Sequence, residues 1–230
     1  MPENLFLGFN IERANDNQIL VSQTQHIKKY LETWKLTNCN TKNVPIHPSF
    51  QLERSLQHKD LIPEMRRIVG ALNYLATHSR PDIILPTSLL SSDVLYPSSN
   101  HVQAAKNILA YLKGTASASL LFPGRLDDQL IGYVDAEFGG DRLSLRPRFG
   151  YIFFLFGAPI CWKSSQHDRV SMSTFDAEIV ALSHAIRQSQ YLRPFLSDLG
   201  FINLDRPTTI FCDNMAVSYT HLTLPTNREV

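Results

Sequence analysis

The sequence predicts a mixed α/β fold in which a mostly helical block precedes three antiparallel strands, a long helix and a strand parallel to the first. Three observations carry that reading. Apolar residues recur at helical spacing between Pro63 and Gly114. After Pro123-Gly124 they form short runs with strand character. A helical stretch from Thr174 then separates those runs from a last apolar run at Thr208–Cys212, which supplies the crossover a parallel pairing needs.

Leu5 to Arg13 and Gln18 to Ser22 alternate as two strands joined by the turn-prone Asn15-Asp16-Asn17. Gln23 to Trp34 is helical, with Ile27, Leu31 and Trp34 on one face. Thr37 to Asp60 is polar, contains Pro45-Ile-His-Pro48, and reads as a long connection. Pro63 to Ala76 places Met65, Val69, Leu72 and Leu75 on one stripe. A second helix starts at Pro81, and Pro86 should shorten or kink it. A third runs from a Ser98/Ser99 cap to Lys113, with Val102, Ala105, Ile108, Leu109 and Leu112 inward and Gly114 as a stop. The three strands fall at Leu130–Phe138, Gly150–Phe156 and Pro159–Lys163, the latter two separated by Gly157-Ala158.

The 230 residues, 43% hydrophobic and 19% charged, have the composition of a globular protein. No apolar run approaches the roughly 20 residues that span a bilayer, and the N-terminus lacks the basic start of a secretory signal. Cys39, Cys161 and Cys212 are odd in number and lack metal-finger spacing, so they read as reduced thiols of a soluble intracellular protein with no membrane partner. Residues 1–125 carry 13 Lys/Arg against 9 Asp/Glu, and residues 126–230 carry 9 against 12. A basic first half and an acidic second half suit a nucleic-acid cradle joined to a metal-dependent nuclease. The histidines form no HExxH pair, and neither a nucleophile elbow nor a phosphate loop is present.

Three dispersed acids stand beside apolar residues: Asp135 in Gly132-Tyr-Val-Asp135, Glu178 in Ser173-Thr-Phe-Asp-Ala-Glu178 and Asp213 in Ile210-Phe-Cys-Asp213. Each falls where a core-facing side chain is expected. Two carboxylates about 4 Å apart repel by roughly 4 kcal/mol at an effective dielectric near 20, so three brought together need a cation. Asp135 shares a strand face with Ile131, Tyr133 and Glu137. Glu178 interrupts a helical stripe from Phe175 to Leu182, and Asp213 ends an apolar strand, where ligand sites of α/β sheets gather. The bland alternatives are a strand-end or turn aspartate for Asp135, a helix N-terminal charge for Glu178 and an Asx cap for Asp213. Asp141 reads as a turn residue, Asp176 as a helix N-terminal charge, and Lys106 and Lys113 as a solvated helix face or phosphate contacts.

Phe6-Leu-Gly-Phe-Asn-Ile-Glu12, Leu20-Val-Ser-Gln-Thr-Gln-His-Ile27, Arg67-Ile-Val-Gly-Ala-Leu-Asn-Tyr-Leu75, Ser79-Arg-Pro-Asp-Ile83, Ala104-Ala-Lys-Asn-Ile-Leu-Ala-Tyr-Leu-Lys-Gly114, Gly132-Tyr-Val-Asp-Ala-Glu-Phe-Gly-Gly-Asp141, Ser173-Thr-Phe-Asp-Ala-Glu-Ile-Val-Ala-Leu182 and Phe211-Cys-Asp-Asn214 lie in one order along the chain. Together they resemble the C-terminal part of the polyprotein of copia-type LTR retrotransposons, where the end of the reverse transcriptase is followed by ribonuclease H. The resemblance covers roughly residues 5 to 217. It implies an RNase H-like mixed sheet at 126–217, preceded by a palm and thumb remnant with linker at 1–60 and a helical connection at 61–125. It implies an endonuclease that hydrolyses RNA in RNA–DNA hybrids by two-metal catalysis. Asp135, Glu178 and Asp213 would be both catalytic and metal-binding, with Mg²⁺, or Mn²⁺ in its place, as cofactor. Asn214 would touch the nucleic-acid backbone or a ribose hydroxyl. The partners implied are the hybrid and the remainder of a retrotransposon polyprotein, and the location a cytoplasmic particle or the nucleus. Polymerase activity is not expected, because the catalytic aspartate motif of the polymerase is not in the chain.

Three features depart from the family. Residues 218–230 match none of its closing helix or its fourth carboxylate; Glu229 is their one acid, and they resemble translated linker or adaptor sequence. Pro194 falls late in the long helix, and Arg146-Pro-Arg-Phe149 replaces small polar residues before the second strand. The rival readings are a non-catalytic hybrid- or protein-binding module and a decayed transposon reading frame.

Overall fold

The computed structural model describes residues 5–14, 17–47, 50, 54–124, 129–137, 146–168, 170–171 and 173–213. Among them are five α-helices and two four-stranded sheets, an α/β architecture. They form two compact units: the described residues within 1–127 and 155–164, and those within 128–154 and 165–230. Among the described residues no helix is long and apolar enough to cross a membrane.

The first unit opens with β1 (Leu5–Phe6), β2 (Phe9–Arg13) and β3 (Ile19–Ser22), paired antiparallel in that order. The predicted single strand from Leu5 to Arg13 is therefore broken. Leu7 and Gly8 turn the chain at φ +50° and +85°, and a Cβ on Gly8 would stand 2.5 Å from the His26 ring. Glycine is the residue that position admits.

α1 (Thr24–Thr33) buries Ile27 and Leu31, as its spacing predicts, and Trp34 packs half-buried at its end. α2 (Ile62–His78) adds Met65, Ile68, Val69, Leu72 and Leu75 to the same core. The residues from Pro81 open as a 3₁₀ turn and continue as α3 (Ile84–Ser92). Pro86 does not break α3. It lies in the first turn, where the missing N–H would have had no partner in the helix. α4 (Ser99–Gly114) closes the core with Val102, Ala105, Ile108, Leu109 and Leu112. Its N-terminus is a capping box in which the fully buried His101 takes the place of the usual Glu or Gln and accepts from Ser98 N–H at 3.2 Å. β4 (Leu120–Phe122), absent from the predicted elements, pairs antiparallel with β3.

The second sheet has the strand order β7-β6-β5-β8. β5 (Ile131–Glu137) is an inner strand, antiparallel to β6 (Arg148–Leu155) from Ile131↔Phe154 to Glu137↔Arg148. β6 begins two residues before the predicted Gly150. β7 (Ala158–Gln166) follows a turn at Phe156-Gly157, both at positive φ, one residue earlier than predicted. α5 (Thr174–Asp198) is capped by the Ser173 hydroxyl, which accepts from Asp176 N–H at 3.1 Å. It returns the chain to β8 (Thr209–Cys212), which pairs parallel with β5, as the sequence predicts.

α5 packs on β5 through Ala177, Ala181, Ala185 and Ser189, a small-residue stripe at four-residue spacing. The predicted stripe through Phe175 and Leu182 is off by one face, and Phe175 is exposed. The helix runs through Pro194 for four more residues to Asp198. Beyond the proline, Leu196 is buried. Just before it, the Arg193 guanidinium donates to the Leu204 and Arg206 carbonyls and to Thr208 Oγ1. Those bonds tie the end of α5 to the segment that leads into β8.

Candidate metal centre

β5 puts two different faces forward. Gly132 and Val134 are buried, whereas Tyr133, Asp135 and Glu137 are exposed. A Cβ on Gly132 would stand 2.7 Å from the ring of the fully buried Phe153, so this residue must be glycine for Phe153 to keep its place. On the other face Tyr133 stacks on Phe211 with ring centroids 5.2 Å apart. The expectation that all three acids face the core is corrected here: Asp135 and Asp213 are exposed, and Glu178, 7% exposed, is the buried one. Side-chain alternation sets the result, because the small-residue face of β5 is the one α5 covers.

The parallel register ends at Val134↔Cys212. Asp135 and Asp213 are the next residues on each side, and neighbouring strands lie about 4.8 Å apart. Glu178 comes to the same place from the N-terminal part of α5. Its carboxylate accepts from the Ala136 backbone N–H and lies 3.6 Å, Oε2 to Sγ, from Cys212. Donor atoms of Glu178, Cys212 and Asp213 all fall within 4.8 Å of one another. Asp135 stands outside that set, yet its charge reaches Glu178.

The Glu178 carboxyl is held above the ordinary glutamate range. Burial is the largest cause, followed by the negative charges of Asp135 and Asp213; the Cys212 thiol and the Ala136 N–H oppose the shift. Among the described residues, no Lys, Arg or His forms an ion pair with any of the three acids. Two carboxylates and a thiol within 4.8 Å, beside a third carboxylate, are a donor set that fits a divalent cation.

The other predicted candidates fall as follows. Glu137 shares the exposed face of Asp135, and Asp176 lies in the first turn of α5. Asn214, Asp141 and the 218–230 tail with Glu229 lie outside the described residues. Lys113 Nζ donates to the Cys39 carbonyl at 2.7 Å, and Lys106 stands 3.8 Å from Glu64. Both basic side chains thus have partners within their own unit. Outside the predicted set, His184 of α5 stacks on the buried Phe149 at 4.3 Å. Cys212 was not among the predicted site residues, although its place directly before Asp213 was the available signal.

An α/β unit in which donor atoms of Glu178, Cys212 and Asp213 converge beside two parallel strands defines a candidate metal-binding class. No family model matches the chain, and no solved structure matches it. It is similar to the retrovirus-related Pol polyprotein from transposon RE1 of Arabidopsis thaliana, 33% identical over 215 residues. The corresponding polyprotein from transposon RE2 of the same plant is 34% identical over 217 residues, and that from transposon TNT 1-94 of Nicotiana tabacum 29% over 223. The matches cover 93%, 93% and 94% of this chain. The chain spans 14%, 15% and 17% of the length of those relatives. Over most of its length the chain is similar to a part of these retrovirus-related Pol polyproteins.

Proposed function

We propose that residues 126–217 are an RNase H-like domain that hydrolyses the RNA strand of RNA–DNA hybrids, with Mg²⁺ or Mn²⁺ held by Asp135, Glu178 and Asp213. The observation that carries the reading is the β5–β8 register, which sets Asp135 and Asp213 next to each other with the buried Glu178 beside them. Residues 1–60 and 61–125 correspond in this reading to the end of a reverse-transcriptase palm and thumb and to its helical connection.

Divalent cations held by Asp135, Glu178 and Asp213 would supply an activated water and offset charge on the leaving 3′ oxygen. The chain's own contribution is positioning. The Ala136 N–H and the Cys212 thiol both point at the Glu178 carboxylate and orient it. Asp135, exposed within β5, and Asp213, exposed just past β8, are open to a phosphodiester arriving from solvent. Asn214, next in sequence, is proposed to meet the backbone or a ribose hydroxyl, and the 2′-OH and duplex shape select RNA within the hybrid.

The test is Mg²⁺-dependent cleavage of a labelled RNA–DNA hybrid by this chain and by Asp135→Asn. The reading expects cleavage by the first and at least a roughly hundred-fold loss in the second, as when a group that fixes transition-state charge is removed. Hybrid binding with a steep salt dependence and no cleavage would replace it with a binding module. Neither binding nor cleavage would remove it.

A further inference from the structure

Away from the acids, the outer side of α5 leaves an apolar face open among the described residues. Tyr191, Phe195 and the C-cap Leu199 recur every four residues along it, and Phe201 and Leu204 follow just past the helix end. All five are between 46% and 66% exposed. The Tyr191 and Phe195 rings lie stacked with centroids 6.3 Å apart, so the apolar surface is continuous there. Large side chains gathered in one exposed patch mark an interaction surface, whereas single exposed ones do not.

Two charges flank the patch. Arg187 and Asp198 are exposed on one side of α5, about three turns apart. Arg187 donates from Nη2 to the Ser183 hydroxyl at 3.1 Å, a contact that leaves its charge unmatched. Among the described residues neither Arg187 nor Asp198 takes part in an ion pair. Asp198 is the last residue of the helix, where the macrodipole disfavours an acid, and the last turn holds no basic side chain to offset it. Within one chain that position is unfavourable.

We propose that this face docks a second copy of the chain, α5 against α5, antiparallel about a two-fold axis near Leu192 and Arg193. That operation sets Arg187 of each copy opposite Asp198 of the other and lays Tyr191 against Phe195 of the other. Charge order selects this occupant. A parallel pair would set like charge against like, and an apolar partner without a cation would leave Asp198 unmatched. The five side chains expose on the order of 500 Å², so two copies bury about 1,000 Å², the lower bound of a specific interface. Such a pair has a dissociation constant in the micromolar range. Glu178 lies about 20 Å along the helix from the axis, so the two acid clusters stay open at opposite ends of the pair. The proposal stands whether or not those acids support hydrolysis.

The experiment is sedimentation velocity of the full chain from low to high micromolar concentration, with circular dichroism to show that each variant is folded. The expected mass rises from one chain to two, and Tyr191→Ser or Phe195→Ser weakens the pairing at least about ten-fold. Arg187→Asp and Asp198→Arg, each alone, place like charges opposite and weaken it as well, whereas the variant carrying both changes pairs like wild type. Within one helix the two positions are about 16 Å apart, beyond the screening length, so this rescue reports a contact between copies. A mass of one chain throughout, growth past two chains, pairing indifferent to these changes, or single reversals without rescue would each overturn the proposal.

Discussion

Val134 of β5 and Cys212 of β8 are partners in parallel register, and that one pairing sets Asp135 and Asp213 side by side at the carboxyl end of the sheet. The acids are 78 residues apart in the chain, a separation read from their numbers. Their strands are neighbours because α5 supplies the crossover and packs its small-residue stripe on the Gly132/Val134 face. Glu178, on the same helix, is carried to them by that packing.

Gly132→Ala tests the packing that aims β5. The added Cβ would come 2.7 Å from the ring of the fully buried Phe153. Overpacking of this kind costs about 1–3 kcal/mol. Urea unfolding should show the loss, and a variant as stable as wild type would contradict the arrangement.

Glu178→Gln should raise the stability of the protein at pH 7 in EDTA. The folded-state pKa of Glu178 is raised, so its stability contribution is present below the ordinary glutamate range and lost as pH rises through the folded value. The neutral amide escapes that loss. Melting temperatures should therefore diverge at neutral pH and converge at acid pH, where both side chains are uncharged. Divalent cation should stabilise wild type more than the variant.

Asp82→Asn tests the helical unit. Arg80 is 3% exposed and donates from Nε and Nη2 to the two Asp82 oxygens at 2.9 and 2.6 Å, while Nη1 reaches the Thr115 carbonyl. Burial would raise the Asp82 pKa, but the Arg80 bond and charge, with the Tyr111 hydroxyl, hold it below the ordinary range. Removing the carboxylate leaves a buried guanidinium unpaired, at about 2–3 kcal/mol once the partial exposure of Asp82 is allowed for. The wild-type contribution is present above the ordinary Asp range and is lost as pH falls through the lowered value. Unfolding free energies of both proteins, measured from neutral to acid pH, should converge there.

Arg193→Ala should loosen β8 without touching an acid. Its guanidinium holds three oxygens of the segment before that strand. The expected loss is about 1 kcal/mol, given how exposed those bonds are. Hydrogen exchange at residues 209–212 should speed up while α2 and α4 are unchanged. Unaltered exchange in β8 would show that other contacts hold the strand.

The faces of α2 and α4 were legible because large apolar residues recur at helical spacing and a core selects for them. The broken first strand was not, since Leu7 at positive φ leaves no mark in composition and Gly8 alone is ambiguous. β4 is three residues long, too short to show alternation. The positions of Asp135, Glu178 and Asp213 on strand, helix and strand end were readable, but not their directions. Counting bulky residues favours Ile131 and Tyr133 as the inner face of β5; the helix covers the small-residue face instead. For α5, bulk pointed to Phe175 and Leu182, whereas close approach to the sheet requires Ala177 and Ala181. Cys212 escaped because thiols were weighed only against metal-finger spacing along the chain, and this donor group forms through tertiary pairing.

The most direct test of the proposed cation site is Mn²⁺ titration of isotope-labelled protein observed by NMR. Paramagnetic broadening should appear first at the amides of residues 134–136, 177–179 and 211–213, and weaken in Asp213→Asn. Broadening centred elsewhere, or spread evenly over acidic surface, would contradict a common site for Asp135, Glu178 and Asp213.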